Sequence, residues 1–461
     1  MIAQLENGQT IDCEDEAFAA GADGSVHWSK DKKWVVKLFR NIQPWRQEAI
    51  RAIVGKFKAT AGDAYWQERL AWPAAVVVRP SLGVMVPRAA GKPVARFIAP
   101  KWLNMRDKRG NLRHPEDRGT FRGRLWLCIN LCQAVRRMHF SGLCHGDLSE
   151  NNVFGDPVAG TASVIDCDGL VVPGVSRPVV QGTGFWMAPE LILKPDTVPT
   201  PETDQHSLAV LIHQLLLLRH PLMGRPGLFD NDPDRDDYFQ LAAKARFIED
   251  ARNPNNQIRS LSYPCTVLGT EVARLIEKAF IAGLNAPKRR PMPSEWERDL
   301  APLTHGLVPC PNRDCTFKEF PLPDTVRASL RCPWCGAMVA GPILSLRFYD
   351  PEPGQTGRYR RDGSCFVVQH DKYLLDWHVV RDGRPNDSKA TERVAQFAEV
   401  KEGGKSRMVL YNVAIDSLSY SDPGEAWTVV GRDEGVYLKA GRRLRFGEKV
   451  QRIAMVEKAV P

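Results

Sequence analysis

The sequence predicts an α+β chain: a small β-rich lobe, a mostly helical half, a cysteine-knuckle segment and an all-β tail. Three observations predict it. The β-favouring run Trp34-Val35-Val36-Lys37-Leu38-Phe39 follows a Gly/Ala-rich stretch, as in a hairpin carrying a glycine loop. Between Leu125 and Met138 apolar residues recur at helical steps (Leu127, Leu131, Val135, Met138). Past residue 341, short apolar runs alternate with turn residues.

In the first lobe, Gln43 to Phe57 reads as a helix, and Ala75 to Val78 and Gly83 to Val86 as strands divided by a turn at Pro80-Ser81. The helical half ends near Pro302. In the tail, strands are expected at Ile343 to Phe348, Ser364 to Gln369, Tyr373 to Val380, Arg407 to Asn412, Trp427 to Val430 and Val436 to Phe446. The predicted boundaries are 1–88, 89–302, 303–341 and 342–461. Such a division suits a chain of 461 residues, which exceeds what one core usually organises.

Composition sets limits on function. The chain is 43% hydrophobic and 25% charged, which argues against wholesale disorder. Leu208 to Leu218 is the longest apolar stretch, far short of the roughly 20 residues a bilayer span needs. The first residues lack the basic start and apolar core of a signal peptide, so no membrane association and a cytoplasmic location are expected. The formal charge of +9 reads as a basic surface, and no nucleic-acid partner is expected.

Chemistry concentrates in Cys144-His145-Gly146-Asp147-Leu148-Ser149-Glu150-Asn151-Asn152-Val153. An aspartate five residues before an asparagine suits phosphotransfer: Asp147 accepts the attacking hydroxyl's proton and Asn152 holds a metal ion. Val164-Ile165-Asp166 then ends an apolar strand in a carboxylate. Asp166 would be the second metal ligand, because Mg²⁺ prefers hard oxygen donors shared with substrate phosphates.

At this point the sequence resembles the eukaryotic-like (Hanks-type) protein kinases, and the resemblance continues in order. Gly182-Thr183-Gly184-Phe185-Trp186-Met187-Ala188-Pro189-Glu190 is similar to the end of an activation segment, Asp204-Gln205-His206-Ser207 to the next family block, and Arg290-Pro291 to the late arginine that pairs with Glu190. The resemblance implies a bilobal protein-kinase fold, ATP with Mg²⁺ or Mn²⁺, a protein substrate, and transfer to serine or threonine, with Thr183 set against Asp147. It makes Gly21, Gly24 and Val26 the glycine loop and Lys37 the phosphate-binding lysine. Glu48 is the expected helix partner of that lysine, with Glu68 the alternative, and Met85, Val86 and Pro87 form the adenine hinge. Three departures stand out. Gly146 replaces the arginine before the catalytic aspartate, Ser149 replaces a lysine as in some small-molecule kinases, and Asp168 replaces the glycine after Asp166-Cys167. A small-molecule kinase and a pseudokinase or nucleotide-binding scaffold are therefore the alternatives.

Cys310, Cys315, Cys332 and Cys335 form two knuckle-like pairs suited to a tetrahedral structural Zn²⁺, so 303–341 is expected to be a zinc ribbon. Glu402-Gly403-Gly404-Lys405 reads as a hairpin turn. The tail as a whole reads as an unspecialised β-sandwich. A kinase, ribbon and β domain in this order resemble bacterial kinases that work beside a von Willebrand factor A protein and a metal-dependent phosphatase, which implies those partners.

Overall fold

The computed structural model describes residues 1–21, 24–175, 184–256, 258, 261, 263–324, 329–355, 357–380, 392–447 and 452–459. The residues divide into two compact units, Met1–Leu261 with Arg274–Glu297, and Ser262–Ala273 with Arg298–Pro461. Ser262–Ala273 therefore groups with the tail and not, as the boundaries 89–302 predict, with the helical half.

The first unit begins with strands β1 (Ile2–Leu5), β2 (Thr10–Asp12), β3 (Ala19–Ala20), β4 (Gly24–Trp28), β5 (Trp34–Phe39), β6 (Ala75–Arg79) and β7 (Gly83–Pro87). They make one antiparallel sheet in the order β2-β1-β6-β7-β5-β4-β3. Alternation along β5 sends Val36 and Leu38 to one core with Ala3, Leu5 and Val77, and Phe39 to the other with Ile50 and Val84. Ile50 comes from helix α1 (Pro44–Val54), which buries Ala49, Ile50 and Ile53. Gly24 has to be glycine because a Cβ there would collide with the Leu38 carbonyl oxygen across the β4–β5 pair.

The helical half is built on helices Phe121–Phe140 and Pro201–Leu217, which pack on each other. Thr120 caps the first by accepting from the Gly123 N–H at 2.9 Å, and its face Leu125, Leu127, Leu131, Val135 and Met138 is buried. The second carries a Thr200/Thr203 capping box and buries Leu208–Leu217 almost wholly, which accounts for the long apolar run. Between them, strands Val153–Asp156 and Thr161–Val164 pair antiparallel with Val153 opposite Val164. That register sets Asn152 beside Ile165, whose N–H donates to the Asn152 carbonyl at 2.9 Å.

In the second unit, Leu307–Pro309 pairs with Glu319–Pro321. A β-sandwich follows. One sheet runs Tyr359–Val367, Leu344–Pro351, Arg452–Lys458, Arg443–Phe446, Leu418–Ser421, Thr428–Val430, and the other Tyr373–Leu375, Arg393–Glu402, Lys405–Asn412, Gly435–Tyr437. Phe348, Phe366, Phe397, Leu410, Leu444 and Phe446 share its core. The expected strand Val436 to Phe446 is two strands in different sheets, separated at Gly441 with φ 87°. Tyr373 to Val380 turns helical at Asp376–Val379. Glu402 pairs with Lys405 around Gly403 and Gly404, both at positive φ, as a two-residue hairpin demands.

Candidate active site

Asp147 and Asn152 lie in the loop between helix Phe121–Phe140 and strand Val153–Asp156. Asn152 donates from Nδ2 to the Asp147 carbonyl at 2.8 Å and to its Oδ2 at 3.1 Å, so the two side chains are held in one cluster. The loop hangs on Asp204, on helix Pro201–Leu217. The Asp204 carboxylate accepts from the His145 N–H at 2.7 Å and the Gly146 N–H at 2.9 Å, and from His139 Nε2 at 3.0 Å. Gly146 sits at φ 77°, a backbone that glycine adopts freely, so the missing arginine coincides with a left-handed position. His145 donates from Nε2 to the Ile165 carbonyl at 3.0 Å, tying this loop to the strand that presents Asp166.

Burial pushes the Asp204 carboxyl up, but His139, His145 and the loop amides outweigh it and hold the group below its ordinary value. Replacing Asp204 with alanine should leave two buried N–H groups unpaired and cost about 3 kcal/mol, measured as a lower thermal midpoint. The sign with pH follows from the depressed pKa. This stability is present above the unfolded value of 3.8 and lost as pH falls through the folded one, so the gap between wild type and variant should hold down to pH 3.8 and narrow only below it.

Asp166 has φ 63° and leads into the turn Cys167–Gly169. Lys37 reaches it from β5, with Nζ 2.6 Å from Asp166 Oδ1 and 3.0 Å from Asp168 Oδ2. Burial pushes the Lys37 ammonium down, yet the carboxylates of Asp168 and Asp166 outweigh it and keep the group protonated. Burial likewise pushes Asp166 up, with Lys37 prevailing to hold it low, whereas burial prevails at Asp168 and raises it. Two expected residues are not brought to the lysine. Glu48 is exposed on α1 and Glu68 is exposed after the short helix Ala64–Gln67, because both helices turn their apolar residues inward. The carboxylate that sequence reasoning missed is Asp168. Its only signal is an acid where the family keeps glycine.

Across the sheet, Lys37 pairs with Val26 on β4 and Val84 on β7. Gly21 follows β3 and Gly24 opens β4, and Met85, Val86 and Pro87 close β7. Thr183 lies outside the described residues. Farther down the chain, Arg290 donates from both terminal nitrogens to Glu190, each at 2.7 Å.

The comparison with protein families agrees with this arrangement: residues 124–291 match the family model for the protein kinase domain. Residues 124–291 carry a protein kinase domain. The match lies within the helical half and includes Asp147, Asn152, Asp166, Glu190, Asp204 and Arg290. Strands β1–β7 and α1 precede it, and Lys37 joins the kinase domain's site from β5 through its contacts with Asp166 and Asp168. Among the described residues, no helix is long and apolar enough to cross a membrane.

The four knuckle cysteines of the second unit also converge. All four Sγ atoms lie within 4.8 Å of one another, with Cys310–Cys335 at 3.5 Å and Cys315–Cys332 at 3.8 Å. The hairpin Leu307–Pro309/Glu319–Pro321 carries the first pair, and Trp334 Nε1 donates to the Glu319 carbonyl at 2.8 Å to fix the second.

Proposed function

We propose that this chain is an ATP-dependent protein serine/threonine kinase. The observation that carries the reading is the placing of Asp147 and Asn152 on one loop, hydrogen-bonded to each other, and of Lys37 on Asp166 from a distant strand. Asn152 and Asp166 offer oxygen donors suited to Mg²⁺ or Mn²⁺, which would neutralise phosphate charge. Lys37 would hold the α- and β-phosphates, Gly21, Gly24 and Val26 would cover them, and Met85 to Pro87 would line the adenine. Asp147 accepts the proton of the attacking hydroxyl. The Ala188-Pro189-Glu190 segment, anchored through Arg290, favours a protein hydroxyl over a metabolite. Incubation with γ-labelled ATP and generic protein substrates, followed by phosphoamino-acid analysis, tests this. Phosphoserine or phosphothreonine is expected. Turnover of metabolites without protein labelling would reassign the chain to small-molecule kinases, and nucleotide binding without transfer to scaffolds.

For the knuckles, the sulfur spacings fit one tetrahedral Zn²⁺, whose bond length of about 2.3 Å separates thiolates by about 3.8 Å. A four-cysteine shell has no open position, so the metal's role is structural. Elemental analysis should find about one zinc per chain. Cys332→Ser should lower that content and loosen the small core around Val308, Phe320 and Leu330; full retention of zinc would reject the ligand set.

A further inference from the structure

We propose that Asp168, and not a glutamate on α1, is the carboxylate that positions Lys37 for the nucleotide phosphates. This rests on the kinase reading above and adds a residue to it. Lys37 is shared between two acids that differ in exposure. The Asp166 side chain is 39% exposed and that of Asp168 only 5%. The left-handed backbone at Asp166 turns the chain into the Cys167–Gly169 helical turn, so one carboxylate remains accessible while the next but one is packed inside. The accessible acid suits a solvated divalent ion. The buried one is shielded from solvent and lies 3.0 Å from the lysine. With Asp166 committed to the metal, Asp168 is the carboxylate left to Lys37.

The alternative partners are absent for a geometric reason. Helix α1 lays Ala49, Ile50 and Ile53 on the sheet and packs against the Cys167–Gly169 turn, while Glu48 points to solvent. A lysine oriented from a mobile helix is released whenever that helix swings away. Here the orienting group lies two residues from the metal-binding aspartate, so the lysine and the metal site are set by the same short segment. The consequence is that carboxylates on α1 do not gate phosphate binding.

The test is steady-state transfer by the full chain with ATP and Mg²⁺ for wild type, Asp168→Asn, Asp168→Glu and Glu48→Gln, alongside thermal midpoints. A misplaced lysine should lower kcat about 100-fold in Asp168→Asn, with KM for ATP changed by less than about 10-fold. Asp168→Glu keeps the charge on a longer arm and should recover about a tenth of wild-type kcat. Glu48→Gln should stay within about twofold, as surface substitutions do. Wild-type kcat in Asp168→Asn, or an equal loss in Glu48→Gln, would overturn the proposal. So would a lower midpoint with unchanged kcat per folded molecule, the mark of a purely structural acid. If Asp168→Asn does not fold, Asp168→Glu decides alone: reduced kcat at an unchanged midpoint supports the assignment, and full kcat overturns it. Should the wild-type chain transfer no phosphate, the kinase reading fails separately. Acylation of Lys37 by an ATP acyl-phosphate probe, read by mass spectrometry, then reports the lysine's position: labelling altered by Asp168→Asn but not by Glu48→Gln supports the proposal, and equal labelling overturns it.

Discussion

Asp166→Ala should reduce phosphate transfer by at least about 1,000-fold, because it removes the anionic oxygen that would face the metal and the transferring phosphate. Phosphoryl transfer leaves little covalent chemistry to the protein, so positioning and charge supply nearly all of the acceleration. Asp166 occupies that role by placement. It follows the strand Thr161–Val164, its φ of 63° turns the carboxylate outward, and Lys37 holds the side chain from 2.6 Å. Alanine in this left-handed backbone also costs roughly 1 kcal/mol, so Asp166→Asn is the cleaner companion: it keeps the shape and the local hydrogen bonding while removing the charge. Both variants should be inactive in a γ-labelled ATP assay, with the thermal midpoint of Asp166→Asn closer to wild type than that of Asp166→Ala. Transfer by Asp166→Ala at the wild-type rate would sink the kinase assignment. A loss confined to alanine would show that a neutral oxygen suffices at this position.

The parts of the site that were legible are those encoded within a few residues of one another. Asp147 and Asn152 share one loop, and the antiparallel register of Val153 with Val164 converts their spacing from Asp166 into proximity. Amphipathic spacing likewise located Phe121–Phe140 to within a few residues of its ends. What escaped depends on distant partners. Lys37 meets Asp168 across more than a hundred residues, and nothing near Glu48 announces that α1 turns it to solvent. The first hairpin escaped because β1 and β2 are very short, although Asn7-Gly8, with Gly8 at φ 86°, was a usable turn signal. In the tail, Arg393–Glu402 and Leu418–Ser421 are strands in which apolar residues are interspersed with polar and charged ones. Their pairing decides them more than their own composition does, as strand preference generally follows neighbours and burial.

Glu190→Ala should destabilise the fold by about 3 kcal/mol. Arg290 has a side chain with no exposed surface, and both of its terminal nitrogens donate to Glu190 at 2.7 Å. Three carbonyls, of Glu202, Gly283 and Leu284, take its remaining donors. The guanidinium cannot shed its proton to become neutral, so losing Glu190 strands a buried charge with neutral acceptors only. The carboxylate is 27% exposed, so water can replace part of it, which places the cost at the lower end of what a broken buried pair shows. Glu190→Gln should cost less than alanine, because its amide oxygen still accepts from Arg290. The same pair ties the segment ending in Glu190 to the start of helix Pro201–Leu217, whose Asp204 supports the Asp147 loop. Glu190→Ala should therefore also lower transfer per folded molecule, although it touches no reacting atom. Calorimetry with parallel transfer assays separates the two effects. A midpoint within a degree of wild type would show that solvent alone can satisfy Arg290, and unchanged transfer at a lowered midpoint would show that the pair holds the lobe together without ordering the catalytic loop.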